Sequence, residues 1–250
     1  MPILRFNILL MSVIAATLTF SQQTLAEKST PAEVKQDIVP EVKVAAASVA
    51  ANKEIKYSMT SVTGPEVFEE TVLLKSRDLL GEETLQTLNS VSHGLRKKAI
   101  FGLVPVRIYV AQLFAAHPEK LVKTESGILA SLKAAGPIQL RLVFLRDIPG
   151  QKIAESFKEG LEANKINIKK LSPELNTVMT TVSEISEFKK SEAFSITGVW
   201  KNNEALLLIE DSKAIKVATG SGEFLEQIFS MWLGKPADNK LADLKKELLR

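Results

Sequence analysis

The chain has 250 residues, a formal charge of +3, nearly half of its residues hydrophobic, and no cysteine. The missing thiols exclude disulfides, thiolate metal sites, thiol catalysis and lipid attachment at a cleavage point. Basic residues are scattered among acids instead of forming a stripe with aromatics between, which argues against nucleic acid as a partner.

Arg5 is the only ionised side chain before Glu27. An apolar run over 6–20, broken by Asn7, Ser12 and Thr17, leads to the small-residue stretch that ends Thr24-Leu25-Ala26. This pattern predicts a signal peptide over 1–26, cleaved near Ala26, in a run too short to serve comfortably as a retained anchor. The expectation is an extracytoplasmic protein, periplasmic in a two-membrane cell, with no stable membrane anchor after cleavage. Residues 27–54 are rich in Ala, Val, Lys, Glu and Pro, contain no aromatic side chain and keep neither period, and so read as a flexible leader. A mature chain of this length can bury an apolar core, so 55–250 is read as one domain.

The domain opens with strand-like pieces and a turn at Gly81. Over 84–88 the positions of Leu85 and Leu88 let a helical reading compete. Two extended segments follow, 95–101 and 104–114, separated by Gly102 and interrupted by Pro105, which suits a bulge or an edge. Both faces of 106–113 are largely apolar, which implies a strand covered on both sides. A helical period over 124–135 places Ile128, Leu129 and Leu132 on one stripe, stopped by Gly136-Pro137. Strand alternation then sets Ile138, Leu140, Leu142 and Phe144 against Gln139, Arg141, Val143 and Leu145.

Pro149-Gly150 begins a helix with Ile153, Phe157 and Leu161 four apart. Ser172-Pro173 begins another, carrying Leu175, Val178, Met179, Val182 and Ile185 and expected to run to about Phe188. Phe194, Ile196 and Trp200, the run 205–209, and 215–218 form three antiparallel strands. A helix from about Ser221, with Phe224, Ile228 and Trp232 as a core stripe, ends at Gly234 and Pro236, and a last helix covers 239–249. Hairpins with helices between and after them define an α+β fold, a large antiparallel sheet layered by helices as an open-faced sandwich.

Four stretches, in this order and spacing, resemble the chalcone isomerase-like family in its bacterial exported branch. They are Leu88-Asn89 with Gly94-Leu95-Arg96-Lys97-Lys98 and Ile100-Phe101; Ile108-Tyr109-Val110-Ala111 with Leu113-Phe114; Phe144-Leu145-Arg146-Asp147 with the 157–164 helix; and Phe224 with Met231-Trp232-Leu233-Gly234-Lys235-Pro236. The resemblance covers about 85–249 and implies a sheet-and-helix cleft. True isomerases of the family use an Arg, a Thr, a Tyr and an Asn. The Arg falls on Arg96; the Thr position falls at or near Val104, and the Tyr and Asn positions fall among 149–151 and 156–158, without a match. Residues 90–93 stand where the family has a shorter glycine turn, which puts the setting of Arg96 in question.

Without those hydroxyl donors the transition-state network for ring closure is missing, and no catalytic residue is assigned. The non-catalytic branch that this chain resembles binds fatty acids in the same cleft. The resemblance therefore implies a small apolar carboxylate such as a fatty acid as ligand, with Arg96 at the mouth of an apolar cavity pairing its head group. Tyr109 is a second candidate donor, and Val106, Ile108, Phe157 and Ile228 are candidates to line the tail site. Alternatives from other classes are an isomerase or intramolecular lyase on another substrate, using water or Lys97, and a structural or interaction module of the cell envelope whose cleft is filled by its own side chains. Arg146 and Asp147 read as an ion pair or a turn. His93 and His117 sit in expected loops without acidic ligands at metal spacing, and no metal, nucleotide or other cofactor is implied.

Overall fold

The computed structural model describes residues 57–81, 84–100, 104–202 and 204–250, all within one compact unit, 52–250. The expected signal peptide and leader lie outside the described residues, as do residues 101–103 around Gly102.

The first five strands follow one another as an antiparallel meander: β1 (Ser58–Phe68), β2 (Thr71–Gly81), β3 (Thr84–Ile100), β4 (Val104–Ala115) and β5 (Ile138–Phe144). Glu69 and Glu70, with φ of 48° and 64°, turn the chain between the first two in the left-handed conformation that a two-residue hairpin needs. Helix α1 (Ile128–Ala135) lies between β4 and β5. After β5 come the short β6 (Ile148–Pro149), α2 (Gly150–Ala163), α3 (Pro173–Ser183) and β7 (Glu187–Phe188). Strands β8 (Ala193–Lys201), β9 (Glu204–Glu210) and β10 (Ile215–Gly220) form the second meander, and α4 (Gly222–Leu233) and α5 (Asn239–Leu248) follow. Strand β8 pairs antiparallel with β5, which joins the meanders into one eight-stranded sheet, β1-β2-β3-β4-β5-β8-β9-β10. This is the expected α+β sheet with a helical layer.

Helices begin where the sequence supplies a cap. Ser172 Oγ accepts from the Leu175 amide, Ser221 Oγ from Phe224, and Asp238 Oδ1 from Leu241. Their apolar stripes meet one face of the sheet, where Leu140 and Leu142 of β5 and Ile196 of β8 pack with Phe157 of α2, Val182 of α3 and Phe229 of α4. Each such fully buried side chain contributes about 1.5–3 kcal/mol relative to exposure.

The opposite face is not solvent-facing either. The sheet curls so that Leu79 of β2 and Leu88 of β3 share a second core with Phe114 of β4 and Leu208 of β9. This explains why β4 is apolar on both faces, as its composition predicts: Leu113 and Phe114 point opposite ways and both are fully buried. It also corrects the simplest reading of the alternation in β5, because Gln139 is fully buried and donates to the buried Thr197 hydroxyl at 2.7 Å.

Several sequence expectations are corrected. Residues 84–88, where a strand and a helical reading compete, are strand, since β3 is continuous from Thr84. Residues 90–93 are not a turn either: the extra length is absorbed by a register shift between Ser90 and Ser92. His93 therefore lies within β3, its ring edge-on to Phe68 at 4.7 Å, while His117 follows β4 as expected for a loop. Helix α1 starts at Ile128, four residues late, because Thr124 and Gly127 form a turn first. Helix α3 stops at Ser183 instead of reaching Phe188, which leaves the helix to pair Ile148 across β6 and β7.

Candidate functional site

The site is built where β3 and β4 pass beneath the helices. Arg96 and Tyr109 are directly opposed across this strand pair, and the register slips at once beyond them, so that Lys97 faces Arg107 and Ile108 is the extra residue. That bulge keeps Ile108 on the core side beside Tyr109 and turns Arg107 to the other face, where its guanidinium meets Glu69 at 2.7 Å. Lys98 returns to the helix side and reaches Glu159 of α2 at 2.8 Å.

Arg96 is only 3 % exposed. Its guanidinium takes both oxygens of Asp238, Nη1 to Oδ1 at 2.8 Å and Nη2 to Oδ2 at 2.5 Å, and Nη1 also donates to the Lys97 carbonyl. Burial opposes the charge on Arg96, but the Asp238 hydrogen bonds and charge outweigh it and hold the guanidinium above its ordinary range. Burial likewise works against ionisation of Asp238; the Arg96 hydrogen bonds and the Leu241 amide prevail, and its carboxyl is held below the usual range. Asp238 thus caps α5 and neutralises Arg96 with one carboxylate.

Tyr109 is buried, and its phenolic oxygen accepts from the Trp232 indole at 3.0 Å. Burial chiefly, against the pull of Arg96, raises its pKa above the ordinary value, so the phenol stays neutral. From Tyr109 a circuit of rings closes on itself. It passes to Phe144 at 5.9 Å, Phe188 at 4.5 Å, Phe194 at 5.3 Å, Phe157 at 6.4 Å and Trp232 at 5.0 Å, and back through the indole hydrogen bond. Such edge-to-face and stacked pairs add about 0.5–1.5 kcal/mol each beyond burial. Ile228, one turn before Trp232 on α4, is fully buried in the same core.

The predicted residues therefore converge. Arg96, Tyr109 and Ile108 sit together; Phe157 joins them through Trp232; Ile228 lies deeper; and Val106, half-buried on β4, follows the bulge on the Lys98 pair. A cavity of about 580 Å³ opens at the Phe188 end of the circuit, and Arg96 is not in its lining. Arg146 and Asp147 do not pair as a unit: Asp147 accepts from the Lys190 amide at 2.7 Å, and the segment is a bend. Val104, at or near which the resemblance puts the family's Thr position, is exposed at the start of β4.

Sequence reasoning missed Asp238 and the indole of Trp232. The first was visible only as the residue before an expected helix; the second was read as plain core. Nothing local signals that either reaches a strand more than a hundred positions away.

A helical layer on one face of a large curled antiparallel sheet, with a buried arginine and phenol between them, defines the class as α+β. Residues 80–250 match the family model described as chalcone isomerase-like, and the chain belongs to that family. No curated protein is significantly similar in sequence. Among solved structures, the chain is similar to a fatty-acid binding protein of Arabidopsis thaliana, with 16 % identity, a TM-score of 0.52, and coverage of 76 % of this chain and 96 % of that one. At that identity the likeness is one of fold.

Proposed function

We propose that this protein is an exported, non-catalytic binder of a fatty-acid-like carboxylate, held between the sheet and the helices. The observation that carries the reading is the buried Arg96 guanidinium, opposed by Tyr109 and adjoining a continuous wall of aromatic side chains. A carboxylate ligand would exchange with the Asp238 carboxylate on the same two nitrogens and receive the Tyr109 hydroxyl as a third donor, while its tail parts Phe157 and Ile228 from β4. The family and the fatty-acid binding neighbour support this reading. Export rests on the segment 1–26, and the periplasm is the proposed compartment.

The test is mass spectrometry of the denatured, extracted native protein together with titration of laurate and palmitate. The expected result is a copurifying acyl species and an affinity that falls at least tenfold in Arg96→Ala. Absence of acyl species, with laurate and palmitate affinity unchanged in that variant, would overturn the reading. Mass measurement of protein secreted to the periplasm tests export, with a mature start near Ala26 expected and an intact Met1 start contrary.

One observation favours a second reading, an envelope interaction module whose cleft its own side chains fill. Asp238 already satisfies Arg96, and the aromatic circuit is closed. Failure of both lipid tests would leave this reading standing.

A further inference from the structure

The face of the sheet away from the helices carries a second set of charged side chains. Arg141 on β5 is opposite Ser195 on β8, and Ser195 is opposite Glu210 on β9, so the three form a row across neighbouring strands. The curl of the sheet brings Arg77 of β2 onto this row from the other side. Its Nη1 donates to Ser195 Oγ at 3.1 Å, and Nη1 and Nη2 take the two Glu210 oxygens at 2.8 and 2.9 Å.

Around this row stand two guanidinium groups, Arg77 and Arg141, and two carboxylates, Glu210 and Asp211. Glu210 is committed at both oxygens to Arg77, and Arg141 is left with a buried Nη1 that has no hydrogen-bond partner among the described residues. Asp211, close by, spends Oδ1 on the amides of Lys213 and Ala214 in the turn before β10. A cavity of about 240 Å³ adjoins the row, lined by Arg77, Arg141, Ser195, Ser212 and the carboxylates Glu210 and Asp211 among others. A buried donor without an acceptor is costly, and an unmade charge-assisted hydrogen bond more so than a neutral one. Burial first, and then the facing Arg77, lower the Arg141 pKa to about 10, with Glu210 giving back only part. At neutral pH the group is nevertheless charged.

We propose that this cavity is a second binding site, for a small oxyanion of the phosphate or carboxylate type, with Arg141 as its principal contact and the serine hydroxyls as supplementary donors. The buried Arg141 Nη1 supplies a hydrogen-bond donor without an acceptor, and the planar fork offers a two-point contact to two oxygens of either group. The site lies across the sheet from Arg96, so its occupant does not compete with a ligand held under the helices. Water is the alternative occupant of a cavity with several polar partners.

The test uses the full chain at constant ionic strength, with sodium phosphate or sodium acetate replacing chloride. Thermal unfolding and the Nε–Hε resonances of the arginines are followed together. Saturable stabilisation by phosphate, by acetate or by both, with a shift of the Arg141 resonance, is expected, and the more effective probe identifies the preferred head group. Arg141→Gln should weaken the response at least tenfold while laurate titration stays as in the wild type, which separates this site from the one at Arg96. No saturable response to either probe, or an equal response in Arg141→Gln, overturns the proposal and leaves water as the occupant. Should Arg141→Gln fold poorly, the wild-type resonance decides: a saturable shift at Arg141 supports the site, and none refutes it.

Discussion

Asp238 caps α5 and grips Arg96 with the same carboxylate, so that one side chain orients a helix and neutralises a strand cation 142 positions away. The pair holds α5 over β3 with two further polar contacts, Glu247 to the Leu95 amide at 2.7 Å and Ser92 to the Leu248 carbonyl at 2.6 Å. A ligand carboxylate at Arg96 must therefore compete with a covalently attached one.

Asp238→Asn tests this competition, because asparagine keeps the cap but not the charge. Leaving Arg96 buried without its anion should lower the stability of the ligand-free protein by about 3 kcal/mol. Laurate should then raise the melting temperature more in the variant than in the wild type. Differential scanning calorimetry with and without laurate reads both effects.

The same pair predicts an acid response. Arg96 and its neighbouring amides depress the folded-state pKa of Asp238, so the stability it contributes is complete above the unfolded value of about 3.9 and is lost as pH falls through the lower folded value. Urea unfolding between pH 6 and 2.5 should show a stability loss below about pH 4 that is smaller in Asp238→Asn.

The Trp232 to Tyr109 hydrogen bond should show as an energetic coupling. Tyr109→Phe strands a buried indole N–H, and Trp232→Phe removes the donor to a buried phenol. Each should cost about 1–3 kcal/mol, and the double variant less than their sum, with a coupling of roughly 1 kcal/mol from chemical denaturation.

Gly94 is needed for the docking of α5. A Cβ there would lie 2.6 Å from Glu247 Oε2 and 2.8 Å from a Leu244 methyl. Gly94→Ala should destabilise by about 1–3 kcal/mol and speed hydrogen exchange at the Leu95 amide, which Glu247 protects.

Most elements were legible in the sequence because their signals are local. Ser172-Pro173 and Ser221 start helices with the caps their side chains supply, and the alternation from Ile138 fixes β5. The errors arise where tertiary pairing overrides local pattern. Residues 184–188 carry a helical stripe, but Glu187 and Phe188 gain a strand partner in β6, and 90–93 look like a turn until β4 pairs with them. The candidate site was half visible for a similar reason. Arg96 and Tyr109 lie in adjoining strands, whereas Asp238 reaches Arg96 only through the docking of α5, which no spacing encodes. The Arg77, Ser195 and Glu210 network was hidden because it depends on the curl of the sheet.

The single seam between β5 and β8 also governs how the molecule can assemble. Most neighbours within each meander are joined by short loops, the β4 to β5 connection through α1 excepted, but joining the halves requires a crossover of nearly fifty residues, from Phe144 to Ala193, to be brought to one register. Closure entropy grows only slowly with loop length, but pairing strands so distant in sequence raises the contact order and slows folding. A nascent chain lacking β8 would leave β5 with an unprotected edge open to pairing with other chains.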